Sequence, residues 1–537
     1  MQRKIIGRIE EKRTLEQVLH APEAQFVAVW GRRRVGKTFL VEEFFRGRVA
    51  KTMLVVGIKA ERQKAKGRAI AREEGGEAPS KKQLRLFRLA LQRSFYNDAP
   101  IPDLLSWPSA FEALAAALAS VAANRQPDMP PVFVFLDELP WLATPRSGLV
   151  EALEHSWNTS LKNFDFLRLV VAGSAASWML RNIINSRTGL HNRLTAKLNI
   201  KPYTLKETQE HLDSRGIALS KIEVLELYMA LGGIPYYLNF VRAGEPPAQA
   251  ISRICFGSGP LRNEYELLYA SLFEHHKSHD DITRAIASKK KGMTREEILT
   301  STHSASGGTL STRLSELSSS GFIELIEPLY KNDFARYRLI DPFVLFSLKW
   351  IEPAGSGFLS EGDDRELFMK LQKMQEFSVW QGGVFEGICL SHKRQLLEAL
   401  GLRILRVKMA PWGVRRSQPD QEKTTTSPKE KLKTRAGRSL KSKGLENSAE
   451  RGAEIDLVID RDDGAISLCE MKYYSDVFEI SEAYGNKLDE KKRIFAEVTR
   501  TKKSINTVII APNGVKDNAH KRRCVQNIVT IDDLFAT

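Results

Sequence analysis

The stretch QFVAVWGRRRVGKTFLVEEFF, residues 25–45, decides the reading of this chain. QFVAVW is a short, apolar, β-prone run that ends directly on GRRRVGKT, and FLVEEFF continues at helical spacing, so the order is strand, glycine loop, helix. GRRRVGKT satisfies G-x-x-x-x-G-K-[ST]. In that pattern the residues Gly31, Arg32, Arg33, Arg34, Val35 and Gly36 curl backbone N–H groups around phosphates, Lys37 reaches the β and γ phosphates, and Thr38 offers a hydroxyl to Mg²⁺. The positive end of the helix dipole adds to the same site. ATP and Mg²⁺ are therefore the expected ligands.

The strands on either side extend the argument. KTMLVVGI (51–58) reads as a second buried strand, and PVFVFLDELPWL (131–142) as an apolar strand ending on two carboxylates. Asp137 at the strand's carboxyl end is placed to hold a Mg²⁺-bound water, and Glu138 to orient the attacking water. FLRLVVAGSAASWML repeats strand, turn and helix, with Ser174 positioned either to sense the γ-phosphate or to cap the helix that follows. Strands alternating with helices predict a largely parallel sheet covered on both faces, with its chemistry at the carboxyl ends of the strands and its limit near Tyr203. The charged, Gly-rich stretch from Lys59 to Lys82 is expected to be an exposed insertion.

Composition bounds the rest. A chain of 537 residues is long enough for three or four compact units in series. Its 81 Lys plus Arg against 65 Asp plus Glu give a net charge of +16, which favours polyanionic partners through phosphate contacts. The four cysteines, Cys255, Cys389, Cys469 and Cys524, lie far apart, which argues against a zinc ribbon or a disulfide framework and fits a reducing cytoplasm. The N-terminus alternates charge with apolar residues instead of forming a signal peptide, and no apolar run reaches membrane-spanning length, so no membrane partner is expected.

Beyond the first sheet, residues 204–275 read as all-helical and are interrupted by GGIPYY (232–237), where Gly-Gly and Pro bend or break a helix. Residues 280–345 read as helix, turn, helix and a two-stranded wing, a winged-helix pattern. Its second helix carries only one cation, Arg313, so internal packing and DNA contact both stand as roles. From 415 to 451 the chain holds eleven Lys or Arg against five Asp or Glu and no aromatic residue, which predicts a long loop or disordered insertion.

AEIDLVIDRDDGAISLCEMK then reads as two strands joined by a hairpin turn. Asp456 lies on the first, and Glu470 and Lys472, two apart on the second, share a face. Two carboxylates and a lysine converging there suit metal-dependent phosphodiester chemistry: Asp456 and Glu470 to hold Mg²⁺, Lys472 to position or deprotonate water. E-x-K alone is common, and a solvated strand face is the other reading. Tyr473, Tyr474 and the cations of DEKKRIFAEVTRTKK are placed to line a nucleic-acid groove by stacking and phosphate contact, and the other reading of those cations is one exposed helix face.

GRRRVGKT, FLDELPWL, VVAGSAASWM, GGIPYYL and RYRLIDPF, taken together, resemble the archaeal-type ATPases of the AAA+ and STAND group over nearly the full chain. The resemblance implies a multidomain α/β protein: a P-loop NTPase core with a parallel sheet (1–203), a helical lid carrying Gly232, Gly233 and Pro235 (204–275), a winged helix (280–345), and a restriction-endonuclease-like α/β domain (346–537) with the basic insertion 415–451. It also implies a Ser in the sensor position, Ser174, and an arginine, Arg193 of the pair Asn192–Arg193, acting on a phosphate in cis or across the interface of a homo-oligomer. The carboxyl-terminal run resembles the PD-(D/E)XK nuclease fold, which adds Glu386 of GGVFEGICL as a third metal-binding carboxylate.

Two functional classes follow. One is a nucleic-acid-associated ATPase with a Mg²⁺-dependent nuclease domain, and the other a slow ATP-dependent signalling switch whose nuclease-like domain makes protein contacts. A nucleotide kinase shares the loop but leaves everything after residue 204 unexplained.

Overall fold

The computed structural model describes residues 4–59, 78–126, 128–185, 192–273, 275–302, 307–330, 334–355, 364–414 and 452–536. They divide into two compact units, one of residues 1–324 and 337–377, the other of residues 325–336 and 378–537.

The first unit is built on strands β1 (Gln25–Trp30), β2 (Lys51–Val56), β3 (Val132–Asp137), β4 (Leu167–Gly173) and β5 (Ala196–Asn199). They pair in the order β2-β3-β4-β1-β5, and every pairing is parallel. The three central strands read as continuous apolar runs because both of their faces are covered, and β3 and β4 are buried along their whole length. The edge strand β2 instead alternates, with Met53 and Val55 inward and Leu54 and Val56 outward.

Helices Pro79–Phe95, Trp107–Ala123 and Leu149–Thr159 contribute to the core of this sheet. Phe87 meets the rings of Trp107 and Phe111 edge-on at 5.7 Å each. Each of these rings is almost wholly buried, a burial that stabilises the unit by about 1.5–3 kcal/mol per large apolar side chain. The first of the three helices starts at Pro79, inside the stretch expected to be an exposed insertion; proline fits there because a first-turn N–H has no helical partner. Most of that insertion, residues 60–77, lies outside the described residues.

Between Leu205 and Leu272 the described residues form helices joined by turns, and GGIPYY breaks the chain between the helices Lys221–Leu231 and Pro235–Leu238. Two of these helices open with capping boxes, Thr204 with Glu207 and Ser220 with Glu223. Helices His276–Ala287, Arg295–Thr302 and Gly307–Ser319 follow, and then the short strands β6 (Ile323–Ile326) and β7 (Arg336–Leu339), which pair with each other. Met293 bridges Tyr337 antiparallel. Leu310, Leu314 and Leu317 turn one face of the third helix into a core with Ile282, Ile298 and Phe322.

The second unit holds strands β8 (Val407–Val414), β9 (Ala453–Arg461), β10 (Ala465–Met471), β11 (Ser504–Ile510) and β12 (Asn527–Val529) in the order β12-β11-β10-β9-β8. β8, β9 and β10 are antiparallel neighbours, while β10, β11 and β12 run parallel. The helix Glu482–Thr499 makes the crossover from β10 to β11, and its Phe495 packs edge-on against Trp412 of β8 at 5.0 Å. β8 is an edge strand whose register slips between Ala410 and Trp412, on either side of Pro411. Proline lacks the N–H a ladder needs, and an edge bulge is where a sheet tolerates it. The basic insertion 415–451 lies outside the described residues, between strand ends paired as Val414 with Ala453.

Candidate nucleotide site and carboxyl-terminal acidic cluster

The strand order brings three chain segments to one sheet end. β4 lies between β1 and β3, and register sets Trp30 beside Gly173 and Leu136 beside Val171. Gly31, Ser174 and the pair Asp137–Glu138 therefore emerge side by side, where a parallel sheet gathers its chemistry. Gly31 has φ +148°, and a Cβ there would stand 2.1 Å from the Ile200 carbonyl oxygen, so only glycine lets the loop leave β1 against β5's outgoing chain. Gly36 has φ +89° and caps the helix Lys37–Phe45, turning the loop into its first turn.

Lys37 is the centre of the site. Its Nζ donates to the carbonyls of Gly31 and Arg32, each at 3.1 Å, and to Ser174 Oγ at 3.0 Å. Burial depresses its pKa to about 8, with the charges of Glu138 and Asp137 opposing that shift and Arg33 adding to it. Ser174 in turn donates its hydroxyl to Glu138 Oε1 at 2.6 Å and its backbone N–H to Oε2 at 3.1 Å. Glu138 adopts φ +48°, an uncommon conformation for a side-chain-bearing residue.

Thr38 Oγ1 donates to Asp137 Oδ2 at 2.5 Å, and Asp137 Oδ1 accepts the Glu138 N–H at 2.9 Å. Burial raises the Asp137 carboxyl above its ordinary range despite the Thr38 bond. A buried carboxylate touching a hydroxyl is a donor set that fits a hard divalent cation such as Mg²⁺. Burial and the Asp137 charge also push up the carboxyl of Glu42. Glu42 lies one helical turn beyond Thr38.

The loop arginines divide their roles. Arg33 is half-buried and its charge bears on Lys37, and Val35 is buried. Arg32 is buried in an ion pair with Asp341, itself buried. Arg34 Nε pairs with Glu264 Oε1 at 2.7 Å, and its guanidinium lies 4.0 Å from the centre of the Tyr236 ring. The side chains of Arg32 and Arg34 are thus engaged with other parts of the unit. Nothing in the loop itself announces Asp341 or Glu264 as partners. Arg193 is exposed in a turn before β5, and its neighbour Asn192 is exposed with it.

In the second unit the hairpin between β9 and β10 forms over RDDG as expected. One step beyond the paired residues Leu457 and Cys469, Asp456 and Glu470 come opposite each other. Asp456 Oδ2 accepts the Met471 N–H at 2.8 Å. Glu470 is 2 % exposed; its Oε1 accepts from Lys491 Nζ at 2.5 Å, and its Oε2 lies 3.6 Å from Lys472 Nζ and 3.4 Å from the Tyr484 hydroxyl. Burial first, then the Asp456 charge, raises the Glu470 carboxyl, with Lys491 and Lys472 opposing.

Glu386 lies on the helix Gln375–Ser391, and its charge and that of Asp456 both bear on Cys389 of the same helix. Both charges add to the burial that pushes the Cys389 thiol well above its ordinary range. The sequence reading expected Glu386, Asp456 and Glu470 to form a three-carboxylate metal site. Among the described residues no group of three or more His, Cys, Asp or Glu is arranged to hold a metal ion, and the two oxygens of Glu470 are turned to Lys491, Lys472 and Tyr484 instead. Lys491 belongs to the run read as groove cations or an exposed helix face, and neither it nor Tyr484 is marked in its own segment as a partner of Glu470.

Residues 6–241 match the family described as an ATPase domain predominantly from Archaea. Residues 6–241 are a P-loop ATPase domain. The chain is 23% identical over 421 residues to an uncharacterised protein of Methanocaldococcus jannaschii, a match spanning 77% of this chain and 83% of that one. Among solved structures it is similar to a Walker-type ATPase of Pyrococcus abyssi, with TM-score 0.44 and 19% identity over 64% of this chain and 96% of that one. The Aeropyrum pernix ORC2 protein follows at TM-score 0.39 and 15% identity, over 66% and 95% of the two chains. Among the described residues of this ATPase no helix is long and apolar enough to cross a membrane.

Proposed function

We propose that this ATPase is a Mg²⁺-dependent, nucleic-acid-associated enzyme of the cytoplasm. In this reading it is built as an AAA+-type core with a helical lid at 204–275, a winged helix at 280–345 and a PD-(D/E)XK-like domain at 346–537. The observation that carries the ATPase part is the Ser174 hydroxyl, which joins Lys37 to Glu138. One side chain thereby links the group that meets the terminal phosphates to the carboxylate that orients water. Thr38 and Asp137 would hold Mg²⁺, which when bound supplies charge neutralisation at the phosphates. Glu138 orients the attacking water, and Ser174 senses the γ-phosphate through the two bonds its hydroxyl makes. Exposed Arg193 suits contact with the nucleotide of a second copy in a homo-oligomer.

Three antiparallel strands followed by a crossover helix and parallel strands support the PD-(D/E)XK reading, together with the placement of Asp456, Glu470 and Lys472. The net charge of +16 supports a polyanionic partner. The engagement of Glu470 by Lys491 favours a second reading of that domain, a docking module that does not cut. Phosphate release, DNA binding and cutting of plasmid and single-stranded DNA with Mg²⁺ or Mn²⁺ test both. Lys37→Ala leaving ATP turnover and DNA affinity unchanged would sink the nucleotide-driven reading. Cutting that Glu470→Ala abolishes while ATP turnover survives identifies a live nuclease, and the absence of cutting with either metal identifies the docking module.

A further inference from the structure

The phosphate-binding loop is tied to a part of the chain more than three hundred residues away. Arg32 uses its carbonyl to accept from Lys37 Nζ at 3.1 Å, and its guanidinium to pair with Asp341. Asp341 spends its other oxygen, Oδ1, on the Val344 N–H at 3.0 Å, so the same carboxylate caps the helix Pro342–Phe346 that follows β7. The path from Lys37 to that helix is thus one residue's backbone, one ion pair and one cap.

Two features make this joint more than packing. Arg32 and Asp341 are 3% and 2% exposed, so neither has water to replace its partner if the pair opens. Further, Nε and Nη2 of Arg32 are buried and find no hydrogen-bond partner among the described residues. A buried guanidinium satisfied at one corner only is costly, which favours a second arrangement in which those donors are met. The guanidinium stands over aromatic rings, 5.3 Å from the centre of Phe322 and 5.8 Å from that of Tyr237, surfaces along which it can move without losing all contact.

We propose that Asp341 is a positioning residue for ATP turnover. It holds Arg32, and through Arg32 the phosphate-binding loop, and it carries the nucleotide state of the loop to the segment 337–346. The inference rests on the ATPase activity alone and not on the nucleic-acid reading. Coupling of this kind is reciprocal: whatever Asp341 does for the loop, a nucleotide on the loop does for the Asp341 segment.

The test uses the full chain. Hydrogen exchange of the wild type, with and without ADP or a slowly hydrolysed ATP analogue, should change severalfold at the amides of 337–346, and Arg32→Met should remove that response. Asp341→Asn should lower kcat/KM by about tenfold or more, and Asp341→Glu should recover part of it. Exchange at 337–346 that ignores nucleotide in the wild type overturns the proposal, whether or not the variants fold. So does a folded Asp341→Asn protein whose kcat/KM stays within about twofold of wild type.

Discussion

Ser174 holds the Glu138 carboxylate at both oxygens, by hydroxyl at 2.6 Å and by backbone N–H at 3.1 Å. The Glu138 side chain has three rotatable bonds, and the serine's two contacts fix where its carboxylate points. Removing the hydroxyl deletes two charge-assisted bonds, the one given to Glu138 and the one taken from Lys37, each about 1.5–3 kcal/mol, and frees the carboxylate to rotate. Ser174→Ala should therefore lower kcat by roughly 10- to 100-fold with a smaller change in nucleotide affinity. Glu138→Gln should nearly abolish turnover while ATP still binds. Steady-state phosphate release beside equilibrium binding of a fluorescent ATP analogue separates the two effects, and a Ser174→Ala enzyme with unchanged kcat refutes the positioning role.

Lys37 gives a pH signature. Its pKa stands near 8 because burial penalises the ammonium, whereas in the unfolded chain it is that of an ordinary lysine. Phosphates bound beside it favour the charged form and raise that pKa. At about pH 8 nucleotide binding should then take up about half a proton per site, and at about pH 6.5 almost none. Calorimetry of ATP-analogue binding in buffers of different ionisation enthalpy reads this directly. The sign for stability is also set: a depressed folded pKa means that above about 8 the unfolded chain binds more protons at this site than the folded one. Lys37 therefore makes the nucleotide-free protein gain stability as pH rises from there towards the lysine's ordinary range, a gain Lys37→Met should lack.

Asp137 should set the metal dependence. Its carboxylate touches Thr38 at 2.5 Å and is buried, so Asp137→Asn keeps the shape, accepts from the Glu138 N–H with its amide oxygen and reverses the bond to the Thr38 hydroxyl, while deleting the charge a divalent cation needs. The expected outcome is a rise of about tenfold or more in the Mg²⁺ concentration for half-maximal turnover. ADP binding measured in chelator should change little. A variant whose Mg²⁺ titration overlays that of wild type removes Asp137 from the metal site.

How far the sequence could be read depended on how local the signal was. β1, the loop and its helix, and the ends of β3 and β4 were legible because apolar runs, glycines and a terminal carboxylate are written in consecutive residues. Glu138, Ser174 and Lys37 could be named, but their junction required β4 to insert between β1 and β3, a fact of strand order that no periodicity carries. β8 escaped because Pro411 and Gly413 break its β pattern, and only pairing with β9 explains why an edge strand tolerates them. Asp341, Glu264 and Lys491 were hidden for one reason: each is an ordinary charged residue in its own segment and acquires a role only from a distant partner.

The Lys491–Glu470 pair yields the last prediction. Glu470 stands opposite Asp456 on neighbouring strands, and like charges so placed destabilise a sheet. Lys491, reaching from the helix Glu482–Thr499 to 2.5 Å, offsets that repulsion. Lys491→Met leaves Glu470 buried beside a second carboxylate with Lys472, 3.6 Å away, as its remaining cation. The loss should be about 2–4 kcal/mol near neutral pH, at the lower end for a broken buried pair because Lys472 persists and Lys491 keeps some solvent contact.

The pH trend follows from the raised Glu470 carboxyl, which Lys491→Met lifts further. A raised folded pKa contributes stability that is full below the unfolded value and is lost as pH rises through the folded one. The deficit of the variant should thus shrink towards about pH 4–5. Adding Glu470→Gln removes the buried charge and should restore much of the loss at neutral pH. Hydrogen exchange of residues 453–471 in the three proteins, at the two pH values, reads the local stability. Equal protection in wild type and Lys491→Met at neutral pH shows that Glu470 needs no counter-charge from that helix.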